Sequence, residues 1–330
     1  MSEPFRVLIV GAGLMGNWHA RYAQTGGGRV CGIVDCSQRA ADRLASKFRH
    51  CRSWTDLHLS LTQTKPGIVH VCTPVESHRD IAKAALETGA HAIVEKPLAV
   101  DAKASEELLR LARDSGLLLI PVHQFLFQDG FRKACRAVSR LGRILHVDIV
   151  ICSAGGDQGT RNLDDIAAEI LPHPLSLIER LAPGSLDDRE FSVHRSGEGE
   201  WRICWCAKRV SFSVLISLRA RPTEASMRIA AERGAIELDL FHGFSTIDSA
   251  QPTRAAKLAR PFRRSAAQFS LGAANLMRRA STGEFAYPGL RTLISEFHEA
   301  ARHKGPSPIS PEEIMAVAVA RDQILARSKA

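Results

Sequence analysis

A short apolar run, Val7-Leu8-Ile9-Val10, breaks directly into Gly11-Ala12-Gly13-Leu14-Met15-Gly16 and then into a helical pattern. Three glycines at that spacing, between a strand and a helix, constrain the chain more than any other feature. The first permits a tight turn, the second lets a phosphate approach the backbone, and the third lets the helix pack close to the strand. The free N–H groups at the start of such a helix then face an anion. Asp35 closes the next strand-like run, about 20 residues beyond Gly16, where a carboxylate accepts both hydroxyls of an adenosine ribose and repels a 2′-phosphate. Gly11, Ala12, Gly13, Leu14, Met15, Gly16 and Asp35 thus point to a dinucleotide site for NAD. Arg39 is either a solvated helix residue or a partner for a 2′-phosphate, which leaves NADP open.

The surroundings carry the same rhythm. Short β-branched runs at 6–10, 29–34, 68–72, 91–94 and 117–122 alternate with helical patterns at 14–25, 37–48, 77–88 and 101–114. Ser37, Ser77 and Asp101 stand where N-caps belong, and Gly89 and Gly116 where helices stop. Thr73-Pro74 follows one strand and Glu95-Lys96-Pro97 another, at the edge where open α/β sheets bind ligands. A lysine there is costly unless it is functional or paired, and Glu95 is a candidate partner. His78 opens the helix beside Thr73-Pro74 and reads as a structural member of this cofactor-binding edge.

Beyond residue 122 the pattern changes. A helix is expected over 131–140, a strand over 143–152, a glycine-rich stretch at 154–160 and a helix over 163–181. Strand-like runs at 191–195, 201–206, 210–218, 226–231 and 235–240 follow without helical crossovers, so their sheet should be largely antiparallel. Helices close the chain at 265–279, 289–303 and 311–327. The expected fold class is α/β. A Rossmann domain covers 1–122, and a substrate-binding and oligomerisation domain with an open, mostly antiparallel sheet covers 123–330, its last helix able to pack back on the first domain.

The 330 residues suffice for two domains. No apolar run reaches the ~18 residues of a membrane span, and no basic leader precedes the first strand, so a cytoplasmic protein is expected. The 8 cysteines form no Cys-x-x-Cys pair. They read as reduced, mostly buried thiols, and no metal site is expected. The net charge of +9 comes without zinc-finger spacing or an aromatic RNA-binding motif, so nucleic acid is not an expected partner. The excess reads as arginines spread over the surface, or as a site for an anionic small molecule such as a nucleotide sugar or a carboxylate.

The glycine loop with His19-Ala20, Val71-Cys72-Thr73-Pro74 with His78, and Glu95-Lys96-Pro97-Leu98 together resemble the glucose–fructose oxidoreductase / inositol dehydrogenase family, Gfo/Idh/MocA. Leu141-Gly142-Arg143-Ile144 before a strand and the region from Phe297 to Pro311 look similar to that family too. The resemblance implies a dehydrogenase or reductase acting on a sugar, nucleotide sugar or cyclitol, working as a homodimer or homotetramer with the open sheet as its interface. It implies that Lys96 contacts the reacting oxygen and the nicotinamide region of the cofactor, and that an Asp-x-x-x-His motif of the second domain supplies an acid/base histidine. Here Glu169-Ile170-Leu171-Pro172-His173 stands in its place, and Ser176 occupies the position where many members carry a second Asp. His173 is then the acid/base, Lys96 its electrostatic partner and Glu169 the orienting group. Spacing by four puts Glu169 and His173 on one helical face, although Pro172 and Pro174 are placed to break it. His123 and Gln124, at the hinge after the last Rossmann strand, are candidate substrate contacts. Reduction of another C=O, C=N or C=C group stays open, as does a catalytically silent, cofactor-sensing regulator.

One segment remains. Arg254, Lys257, Arg260, Arg263, Arg264, Arg278 and Arg279 share a stretch in which Ala266, Phe269, Ala273 and Leu276 recur at helical spacing. The first expectation is a solvated basic helix face. A phosphate clamp for a nucleotide sugar is the alternative, with peripheral membrane contact behind it.

Overall fold

The computed structural model describes residues 4–153, 162–187, 190–250, 253–284 and 286–328, and the glycine-rich stretch 154–160 lies outside them. The first part of the chain is a βα alternation: β1 (Arg6–Val10), α1 (Leu14–Thr25), β2 (Arg29–Val34), α2 (Gln38–Ala45), β3 (Arg52–Trp54), α3 (Leu57–Thr64), β4 (Ile68–Val71), α4 (His78–Glu87), β5 (His91–Val94), α5 (Ala102–Asp114) and β6 (Leu119–Pro121). Its six strands are parallel in the order β3-β2-β1-β4-β5-β6, the dinucleotide-binding arrangement. Val7, Leu8, Ile9, Val69 and Ile93 are buried completely, as strands covered on both faces require.

Ser37 and Asp101 accept hydrogen bonds from Ala40 N and Ala104 N, so these caps are as expected. Ser77 makes no cap. Its hydroxyl donates to Thr73 Oγ1 and Pro74 O instead, because a short 3₁₀ turn, Val75–Ser77, precedes α4. Gly89 and Gly116 end their helices at φ +82° and +66°. The sequence reading passed over β3 and α3, since three residues give no periodicity, though Asp56 caps α3 through Leu59 N.

The second unit contains α6 (Asp129–Val138), β7 (Ile144–Cys152), α7 (Leu163–Ile170), α8 (Pro172–Leu181), β8 (Ser192–Gly197), β9 (Glu200–Ala207), β10 (Val210–Ser217), β11 (Glu224–Ala231), β12 (Gly234–Asp239), β13 (Phe244–Ser249) and α9 (Arg254–Thr282). The seven strands run β13-β12-β11-β7-β10-β9-β8, antiparallel except for β7 beside β10. One face buries Val147, Ile149, Val214, Ile229 and Ile236. The alternating face carries Asp148, Ser213, Arg228, Glu237 and Thr246.

The helix expected over 163–181 is two helices, split at Leu171. Pro172 has no N–H to give Ala168 O, and the buried Arg321 Nε donates to that carbonyl in its place. The cysteines are all free, but only Cys31 and Cys152 are buried, and Cys36 and Cys206 are exposed. The expectation of mostly buried thiols fails because Cys206 falls on the outward side of β9. The compact units do not follow the chain in one cut. The first runs to His123 and resumes over Leu290–Val319, and the second is Gln124–Gly289 with the chain from Ala320 on. Helix α10 (Leu290–His303) therefore packs on α1, and the division falls within α11 (Pro311–Ser328).

Candidate functional site

Parallel register brings four strand ends to one edge of the first sheet. Val10 pairs with Val34 and Val71, and Val71 with Val94, so Gly11, Asp35, Cys72-Thr73 and Glu95 leave side by side. Gly11 has φ +99°, and a Cβ on it would lie 2.4 Å from Cys72 O. A Cβ on Gly16 would meet Gly11 O at 1.8 Å. The fold itself demands those two glycines. Gly13 differs: its φ is −76°, and a Cβ there would meet nothing within 4 Å. The space it leaves lies outside the chain, against the first turn of α1. That turn has neither a side-chain cap nor an acidic residue, whereas α2, α3 and α5 are each capped by a side chain. Leu14 is exposed and Met15 half-buried at its start. An open glycine before uncapped helical N–H groups fits a pyrophosphate.

Asp35 does two things there. Its Oδ2 accepts from Ala12 N at 2.7 Å and its Oδ1 from Ser37 N at 2.9 Å, so the carboxylate ties the glycine loop to the start of α2. It is half-buried, and Oδ2 keeps a lone pair for a ribose hydroxyl, while Oδ1 accepts from the Cys36 thiol as well. Arg39 is exposed on α2. His78, buried, joins the other two loops of this edge: its Nε2 lies 2.8 Å from Thr73 O and its Nδ1 2.8 Å from Pro97 O.

Beneath Lys96 lies a buried polar chain that the spacing of residues did not foretell. Glu95 Oε1 faces His19 Nε2 at 3.1 Å, His19 Nδ1 faces His70 Nδ1 at 2.9 Å, and His70 Nε2 faces His298 Nε2 at 3.1 Å. Burial works to raise the Glu95 carboxyl. The His19 hydrogen bond, with the charges of His19 and Lys96, outweighs it and holds the group below its usual range. His70 is driven well below the usual imidazole range by burial, then by its two histidine neighbours. His298 is lowered to about 4 by burial, then by the charges of Arg302 and His19. Glu95 is thus the anionic end of a row of imidazoles, and its backbone leads directly into Lys96, whose N–H donates to Glu95 Oε2 at 3.3 Å. The pairing of Glu95 with Lys96 considered from the sequence is secondary to the one with His19. His19 was visible as part of the glycine-loop motif. His70 and His298 were not, because 228 residues separate them.

In the second unit, His173 is buried in the first turn of α8, stacked on Phe125 with ring centroids 4.5 Å apart. Glu169 sits half-buried on α7, across the break at Leu171, so it and His173 do not share one continuous helix. Ser176 is buried and donates to His173 O at 2.9 Å, turning its hydroxyl onto the backbone. His123 and Gln124 are both buried, and the division between the units falls between them. Gln124 Oε1 accepts no hydrogen bond from the described residues, an orphaned acceptor that a ligand donor would satisfy.

Residues 5–123 match the model of an oxidoreductase family with an NAD-binding Rossmann fold. Over 120 residues the chain is 34% identical to the D-glucoside 3-dehydrogenase of Escherichia coli (strain K12), a stretch covering 36% of this chain and 34% of that one. It is 27% identical over 160 residues to the UDP-N-acetylglucosamine 3-dehydrogenase of Acidithiobacillus ferrooxidans, covering 44% of this chain and 50% of the relative. The chain thus spans from 34% to 50% of the length of these curated relatives. Among solved structures, the WlbA dehydrogenase from Bordetella pertussis, in complex with NADH and UDP-GlcNAcA, superposes with a TM-score of 0.76 at 17% identity, over 100% of this chain and 97% of that one. That likeness establishes the two-domain fold.

Proposed function

We propose, from a first unit that belongs to the Gfo/Idh/MocA oxidoreductase family, that this chain is an NAD(P)-dependent dehydrogenase acting on a secondary alcohol or ketone of a sugar, nucleotide sugar or cyclitol. The observation that carries the reading is the open Gly13 before the uncapped α1, on the sheet edge that also holds Asp35 and Lys96. Gly11, Ala12, Gly13, Leu14, Met15 and Gly16 hold the pyrophosphate, Asp35 the ribose, and Thr73, Pro74, His78 and Glu95 shape the wall of the cofactor site. Arg39, exposed on the first turn of α2, stands by for a 2′-phosphate. Bound NAD(P) supplies or accepts the hydride.

The protein's own part is the proton and the charge. An alcohol losing hydride must also lose its proton, and an imidazole exchanges protons near neutral pH. His173 takes that role in this reading, held by the Phe125 stack. Lys96 stabilises negative charge on the reacting oxygen. Glu169 orients one of the two, and His123 and Gln124 contact substrate, the latter through its orphaned Oε1. The names of the relatives make glucosides, UDP-N-acetylhexosamines and inositols the first substrates to try. A homodimer or homotetramer through the open sheet completes the reading, to be read by light scattering.

The test pairs binding with turnover. Lys96→Met and His173→Asn should keep NADH fluorescence titrations within a few-fold of wild type while kcat falls by roughly 10²–10⁴ on the best substrate of that panel. If the wild type binds NADH and turns over nothing, the silent regulator replaces the enzyme. If both variants turn over normally, the assigned residues are wrong.

A further inference from the structure

Helix α9 is built inside out. Its 29 residues carry seven bases and no acid. Three of its bases pair with acids of its own unit: Arg260 Nε reaches Asp248 Oδ2 at 2.5 Å, Arg264 pairs with Glu237, and Arg278 Nε reaches Asp129 Oδ2 at 3.2 Å. Asn275 Nδ2 donates to His242 O at 2.9 Å on the same side. Arg279 is the one buried residue of the helix. The apolar side faces solvent: Leu258 is 78% exposed, Phe262 79%, Phe269 80%, Leu276 66% and Met277 68%.

At ~100° per residue these five fall within an arc of about 100°, with Ala255, Ala259, Ala266, Ala273 and Ala280 between them. The arc runs along roughly 40 Å of helix. It presents on the order of 700 Å² of apolar surface, more than the largest patch on an ordinary monomer. Arg254 and Arg263 fall on its two borders. An apolar arc of Phe and Leu, bordered by bases on a helix of 20–30 residues, has the anatomy of a helix lying in the plane of a bilayer surface. Six of the seven bases are exposed, as a solvated basic face requires, and the apolar side is exposed as well. Of the bases a phosphate clamp would use, Arg260 and Arg264 are paired with Asp248 and Glu237.

We propose that α9 docks the protein on an anionic lipid bilayer, its Leu258–Phe262–Phe269–Leu276 stripe entering the headgroup boundary and its bordering bases meeting the lipid charge. Charge decides against a second copy as the occupant. Pairing α9 with itself sets Arg254 and Arg263, on the borders of the stripe, against the same bases of the second copy, in a chain of net charge +9. The open sheet face of a second copy interrupts its few apolar side chains, Val150 and Leu215 among them, with Asp148, Ser213, Arg228 and Glu237, and so offers the stripe no apolar match of its length. Among the described residues, Leu271, 40% exposed, lies on the other side of α9, and the remaining exposed large apolar side chains lie on other parts of the chain. None of the helices described is long and apolar enough to cross a membrane, so the contact is peripheral. The inference does not depend on the hydride-transfer reading.

Flotation of the full chain with vesicles tests it. Vesicles of phosphatidylcholine with about 30 mol % phosphatidylglycerol should carry the protein up, and phosphatidylcholine alone should not. The double variant F262S/F269S should lose at least about tenfold in bound fraction, with an unchanged melting curve because both residues face solvent. Arg254→Glu with Arg263→Glu should lose several-fold, most at low salt. The proposal is overturned if the wild type stays down with anionic vesicles, or if F262S/F269S floats as well as wild type. It is overturned in favour of a second copy if the wild type does not float and F262S/F269S halves the mass seen by light scattering.

Discussion

Helices α5 and α9 are both amphipathic, and they use the property in opposite ways. In the first unit α5 buries Ala104, Ser105, Leu108, Leu109 and Ala112 and leaves its charges in water. In the second, α9 pairs three of its seven bases with Asp248, Glu237 and Asp129 and leaves its Phe and Leu in water. Periodicity states that a helix has two faces. Which face meets the protein depends on what the neighbouring elements offer. The parallel sheet beside α5 is apolar, and β12 and β13 beside α9 present carboxylates.

The largest effect that tests the contrast comes from atoms turned inward and outward within one loop. Gly16→Ala forces a Cβ onto Gly11 O and should cost about 3 kcal/mol or more in urea unfolding. Gly13→Val should leave the unfolding curve close to wild type, because its Cβ enters open space, yet abolish NADH binding in a fluorescence titration. A Gly13→Val protein that unfolds early would break the assignment of that space to a ligand. Next, Leu108→Ala should cost about 3 kcal/mol, and Phe269→Ala, a larger truncation, less than about 0.5 kcal/mol. Equal losses would mean that α9 is packed after all.

Acid should act on the first unit through its histidines. His298 has a folded pKa of about 4 against an ordinary value of 6.5, so the unfolded chain binds the extra proton between those values. Its stabilisation is complete above pH 6.5 and is lost as pH falls toward 4. Between pH 7 and 5 this amounts to about 2 kcal/mol, and His298→Gln should flatten that part of the stability–pH curve. A slope unchanged by the substitution would place the acid sensitivity elsewhere. The smallest effect is at a cap: Asp101→Ala should cost about 1 kcal/mol in the same assay, where Ser77→Ala loses no helix cap.

The Rossmann unit was legible because its signals are local. Strand, turn and helix follow one another within a few residues, and β1, β2, β5 and α1 lie where their runs of residues predicted. The edge that gathers Gly11, Asp35, Thr73 and Lys96 follows from parallel order alone. The second domain was legible in outline, since its strands lack crossovers, while β13 and the full length of α9 were not. Pro172 announced a break, and only the fold supplied Arg321 to cover the carbonyl it frees. By itself the sequence determined the glycine loop, the family motifs and the alternation that builds each sheet, because these depend on neighbours along the chain. Tertiary structure alone decided the Glu95–His19–His70–His298 row, the cover that Arg321 gives the freed carbonyl and the outward turn of the α9 phenylalanines. Each depends on what a residue meets from a distant part of the chain, through burial, a freed carbonyl or an opposing charge.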